Sequence, residues 1–101
     1  MSLRVLHDAE AAVEFQEAVA WYEGQAAGLG ARSVLAVDKV VSAIRTHPLR
    51  FPKAAAMSRK ARVLGWPYTI YFQFNEAAPE IKVIAIWHGR RSPAELHRRL
   101  K

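Results

Sequence analysis

The sequence predicts an α+β fold: a helical hairpin packed on a small antiparallel β-sheet and closed by a short C-terminal helix. Three observations carry this. Two apolar stripes at helical spacing occupy the first half, on either side of a glycine-bearing link at 24–28. Two runs rich in aromatic and β-branched residues, 67–74 and 81–87, occupy the second half. Between those runs, Asn75 to Pro79 is short and polar, as a turn joining antiparallel strands should be.

The elements follow in order. Residues 3–7 alternate and read as a short edge strand. Asp8 is a good N-cap, and a helix runs from about residue 9 to 25. Its stripe is Phe15, Ala18, Val19, Tyr22 and Ala26, while Glu10, Glu14 and Glu17 fall on the other side as a solvated face. A second helix spans about 29–46, with Val34, Val37, Val41 and Ile44 as its stripe and Val40 alongside. His47-Pro48 ends it, because a residue before proline is driven out of the α region. Residues 48–52 form a rigid connector. A short strand containing residues 61–64 then pairs with the run at 67–74. In that run Tyr68, Ile70, Phe72 and Phe74 share one face, the seat for the helices; Thr69, Tyr71 and Gln73 share the other. The run at 81–87 is apolar on both faces, which implies a central strand or a second covered face. Pro93 opens a short helix reaching Lys101, with Arg98, Arg99 and Lys101 at its electrostatically favoured end.

A chain of 101 residues is expected to form one domain, residues 1–101. Its 51% hydrophobic and 24% charged residues suit a folded globule and exclude a disordered chain. There is no cysteine, hence no disulfide framework, and the N-terminal segment lacks a signal-peptide core. No apolar run is long enough to span a membrane. A cytoplasmic protein is the expectation. Residues 1–44 carry six acids against three bases, a net −3; residues 45–101 carry three acids against twelve bases, a net +9, giving +6 overall. That polarity points the second half toward an acidic or polyanionic partner. No histidine or carboxylate spacing suits a metal, and no glycine loop suits a phosphate, so no metal and no cofactor are expected.

Several strings, in order, resemble the RelE/ParE superfamily of toxins from type II toxin–antitoxin modules. They are Trp21-Tyr22-Glu23, Gly28-Leu29-Gly30, the connector from His47-Pro48 to Phe51-Pro52, Pro67-Tyr68-Thr69-Ile70-Tyr71, and the stretch from Ile86-Trp87-His88 through Arg90-Arg91 to Pro93. The resemblance covers nearly the whole chain and is closest to the ParE-like branch. One departure is Ser33, where such sequences place a phenylalanine; Val34 or Leu35 is then expected to supply the packing. The resemblance implies a cognate antitoxin whose extended tail wraps the toxin. ParE-like members inhibit DNA gyrase, and RelE-like members cleave mRNA in the ribosomal A site.

The expected function is therefore a toxin that binds DNA gyrase without covalent chemistry. The residues expected to meet target or antitoxin are Arg59, Lys60, Arg62, Tyr68, Tyr71, Arg90, Arg91, Arg98 and Arg99. The alternative is a ribosome-dependent endoribonuclease. Metal-free RNA cleavage needs a proton acceptor, a cation on the phosphate and a proton donor. His88 has the pKa for either proton role, and Arg62 and Arg91 have the forked donors for a phosphate. Against it, RelE-like nucleases carry an arginine where this chain has Thr69, and a reactive residue near the C-terminus where it has only His97. At a strand end, His88 also suits a hydrogen-bonded structural role. A third reading is a small basic nucleic-acid-binding module, which would bind duplexes with a steep salt dependence.

Overall fold

The computed structural model describes residues 3–100; Lys101, expected at the end of the last helix, lies outside them. The described elements are β1 (Arg4–His7), α1 (Ala9–Gln25), α2 (Leu29–Thr46), a single 3₁₀ turn at Pro48–Arg50, β2 (Arg59–Val63), β3 (Tyr68–Asn75), β4 (Glu80–His88) and α3 (Pro93–Arg99). The strands lie in the order β1-β4-β3-β2. The α+β class holds, with one change: β1 runs parallel to β4, so the sheet is mixed. The chain reaches β4 from β1 only after both helices and two strands, a crossover long enough for parallel pairing.

Local chemistry accounts for the helical hairpin. The Asp8 side chain accepts from Glu10 N–H at 3.0 Å and caps α1. At the link, the Glu23 carboxylate accepts from the N–H groups of Gly28 (2.8 Å) and Gly30 (2.9 Å). Those bonds hold its pKa below the usual carboxylate range and satisfy free donors at the start of α2. Gly28 sits at φ 85°, and a Cβ on Gly30 would lie 2.8 Å from Val19 O. Glycine is therefore required at both positions, one for conformation and one for close approach.

The inward face of α2 runs through Gly30, Ser33, Val37 and Ile44. Ser33 is fully buried and donates to Gly30 O at 2.7 Å. Leu35 is 66% exposed, and Val34 is half-buried but not among the residues of the core or packed on it, so neither takes the inward position. Ser33 itself occupies the inward position. Val37 and Ile44 join Ala61, Val63, Ile70, Phe72, Ile81, Val83 and Ile86 in the core, with Phe15, Ala18 and Tyr22 of α1 packed on it.

β4 is central, which explains its apolar run. Tyr71 pairs with Ala85 and Phe72 with Val83, so Ile84 is an extra residue in a bulge. The bulge re-aims the strand, and all of residues 83–87 are buried. Between the 3₁₀ turn and β2, Ala56 and Met57 take positive φ values of 52° and 58° in a turn closed by Ser58 N–H to Ala55 O.

Candidate functional site

Strand register decides which candidates meet. Arg62 is opposite Thr69, and Thr69 is opposite Trp87. One residue on, Val63 is opposite Tyr68, and Tyr68 is opposite His88. Neighbouring residues of a strand point to opposite faces. The row Arg62–Thr69–Trp87 therefore faces away from the helices, and the row Val63–Tyr68–His88 faces into them.

His88 sits among aromatic rings of the helix side. Its Nδ1 accepts from Arg90 N–H at 3.1 Å, so Nε2 carries the proton of the neutral ring and donates to the Tyr22 hydroxyl oxygen, 3.2 Å away. Burial, and then the Arg90 charge, lowers its pKa below the ordinary imidazole value. Both ring nitrogens are hydrogen-bonded within the chain, an arrangement that serves structure, while the half-buried ring lines an open cleft with Trp21, Glu17 and Arg91. The expected trio of His88, Arg62 and Arg91 does not converge, because the sheet separates His88 from Arg62.

Tyr68, expected to contact a partner, is 2% exposed and belongs to the core. Among the described residues its hydroxyl is buried without a hydrogen-bond partner. Burial, followed by Tyr22, raises its pKa to about 12, and the nearby Ser33 hydroxyl opposes part of that rise. Phe15 meets its ring edge-on at 5.8 Å and Trp66 stacks at 6.4 Å. Arg59 is also occupied: its guanidinium donates to Phe51 O at 2.7 Å and pins the connector to the sheet.

At the other edge of β4 the late arginines are tied down. β1 stops opposite Val83, leaving that edge of β4 without a strand partner beyond it. Arg99 donates to Ile84 O there at 2.7 Å. Its other nitrogen lies 2.7 Å from Glu14 and 3.4 Å from Glu10. Arg91 reaches Glu14 at 2.6 Å and Glu95 at 3.1 Å, with its guanidinium carbon 3.9 Å from the centre of the Trp87 ring. Glu14 is thus an anchor for two guanidinium groups, a correction to the solvated face expected of α1. Burial alone would raise its pKa, but hydrogen bonds from Arg99 and Arg91 outweigh that and leave it lowered. Glu10 and Glu14, and likewise Arg91 and Glu95, are spaced i,i+4. That spacing was the only sequence signal for this network, and it does not say which pair meets which.

The outward face keeps the exposed cations. Lys60 and Arg62 stand beside Tyr71 and Thr69, and none of Lys60, Arg62, Arg90 and Arg98 forms an ion pair with a described residue. Tyr71 is half-buried, and burial raises its pKa. Among the described residues no cluster of histidines and carboxylates could hold a metal, and no helix is long and apolar enough to cross a membrane.

The fold is similar to a solved structure of a mutant of the E. coli toxin RelE in the free state. The TM-score is 0.68, the alignment covers 99% of this chain and 95% of that one, and the identity is 13%. No family model matches the sequence, and no curated protein matches it.

Proposed function

We propose that this chain is the toxin of a type II toxin–antitoxin module, neutralised by a cognate antitoxin, and that it acts in the cytoplasm by binding DNA gyrase. The fold likeness and the ordered ParE-like strings support the module. One observation carries the choice of binding over RNA cleavage: register places His88 on the helix side of the sheet and Arg62 on the other. Acid–base chemistry requires the proton carrier within hydrogen-bond reach of the reacting group, and the imidazole of His88 does not share a face of the sheet with Arg62. Lys60, Arg62, Tyr71, Arg90 and Arg98 remain the accessible members of the expected contact set.

The test is a supercoiling assay with purified gyrase, run beside a translation extract. The expected result is blocked supercoiling with intact mRNA. Cleavage of mRNA in the ribosomal A site, lost in Arg62→Ala, would replace the proposal with the endoribonuclease reading. Duplex binding with neither effect would replace it with the nucleic-acid module.

A further inference from the structure

The loop before β2 ends in an apolar tip. Ala55, Ala56 and Met57 are consecutive and exposed, and Met57 is 92% exposed. A surface run of this kind packs against nothing in the free fold and points to an external contact. Leu49, 58% exposed on the 3₁₀ turn, lines an open cleft of about 350 Å³ together with Met57 and Phe74. The tip is braced. Ala54 N–H donates to Ser58 O at 2.8 Å, Ser58 N–H and its hydroxyl both donate to Ala55 O, and Lys53 pairs with Arg59 at the base. Ala56 and Met57 hold positive φ values of 52° and 58°, a conformation that persists only where the surroundings impose it. The turn thus closes part of its backbone hydrogen bonding on itself while it presents apolar side chains to water.

Cations ring this tip. Lys53 precedes it, Arg50 follows Leu49, and Lys60 is held beside the loop by its N–H to Pro52 O at 3.0 Å. All three are exposed, and none forms an ion pair with a described residue. Glu76 is the one acid lining the cleft. Arg59 pairs with Phe72 and Val63 with Tyr68, so the loop leaves the sheet at the end opposite Tyr68 and His88.

We propose that the 54–58 turn is a membrane-contact tip for an anionic bilayer surface. Ala56, Met57 and Leu49 enter the boundary between headgroups and acyl chains, and Arg50, Lys53 and Lys60 meet the lipid phosphates. Hydrocarbon takes up apolar side chains and demands no hydrogen bonds from a turn that keeps its own. The net +9 of residues 45–101 is drawn to an anionic surface, where each nearby cation adds to binding. A nucleic acid would meet the cations and leave Met57 and Leu49 in water. A second copy would bring the same cations to the same tip and be repelled. Few side chains enter, so the attachment is reversible. The opposite end of the sheet stays free, and the inference does not depend on gyrase being the target.

The experiment sediments the full chain with sucrose-loaded vesicles of phosphatidylglycerol and phosphatidylcholine. Binding is expected, weaker on phosphatidylcholine alone and weaker with added salt. Leu49→Asn/Met57→Asn removes the apolar contacts without changing charge and is expected to weaken binding by about tenfold or more. Both positions are exposed and asparagine tolerates positive φ, so that variant is expected to keep its melting temperature. Arg50→Gln/Lys53→Gln is expected to weaken binding through charge alone. The chain has no cysteine, so a polarity-sensitive dye on Met57→Cys reports that position only. Its emission is expected to shift to the blue on anionic vesicles, and the same dye on His97→Cys is expected not to shift. Failure to sediment with anionic vesicles, or unchanged binding in Leu49→Asn/Met57→Asn, would overturn the tip. An equal dye shift with duplex DNA, or a dimer that the asparagine variant dissociates, would assign it to another occupant and overturn it too. Supercoiling inhibition by the asparagine variant is expected to match the unsubstituted chain, so either reading can fail without the other.

Discussion

Trp87 and His88 are consecutive residues at the end of β4, yet they belong to different chemical environments. Trp87 faces outward and is roofed by Arg91, within a network of two arginines and three glutamates. His88 faces inward among Tyr22 and Tyr68, with a depressed pKa and both ring nitrogens bonded. One side is held by charge and the other by neutral hydrogen bonds and ring packing. The difference shows that clustering in sequence is a poor guide to shared chemistry at a strand end, because each step along the strand crosses the sheet.

Breaking the ionic side should have the largest effect. Glu14→Ala leaves two guanidinium groups without their shared carboxylate, and the Arg99 side chain is only 15% exposed. The expected loss is about 2 kcal/mol, between the values for exposed and fully buried pairs, read as a lower midpoint in urea unfolding. Tyr22→Phe attacks the neutral side by removing the hydroxyl that meets His88. It should cost about 1 kcal/mol, as for one partly buried hydrogen bond. Arg62→Ala serves as the control: an exposed cation with no described ion-pair partner should change stability by less than about 0.5 kcal/mol while weakening target binding.

The two sides should also separate by pH. His88 has a lowered folded pKa, so the unfolded chain binds its proton more readily. The stability it contributes is present above about pH 6.5 and lost as pH falls through the folded value. Glu14 also has a lowered folded pKa, and its contribution is present above about pH 4.3 and lost further into acid. Unfolding followed against pH should show a weak decline below neutrality that disappears in His88→Asn. A second, steeper decline in acid should become shallower in Glu14→Gln. A single transition unaffected by His88→Asn would show that the two sides are not distinct.

Much of the helical hairpin was legible because its signals are local. Asp8 caps α1, glycines mark the link, and His47-Pro48 stops α2, each acting within a turn of its own position. The candidate site was legible only in part. Lys60 and Arg62 are exposed and Tyr71 is half-buried, whereas Tyr68 is core, Arg59 is a tether, and Arg91 and Arg99 are engaged by glutamates. Glu14 and Arg99 are separated by 85 residues, so no local pattern could match them. The turn at Ala56 and Met57 was equally hidden, since positive φ ordinarily calls for glycine, asparagine or aspartate.

By itself the sequence determined where the two long helices begin and end and which stretches form strands, since caps, prolines and side-chain periodicity act over a few residues. The strand ends are displaced by a residue or two: β2 is Arg59–Val63 and leaves out Leu64. Only the tertiary structure decided that β1 runs parallel to β4, that Ile84 bulges, and that His88 and Arg62 lie on opposite faces. The physical reason is register. Which residue pairs with which is settled by packing the whole sheet against the helices, and a slip of one position would exchange the two faces.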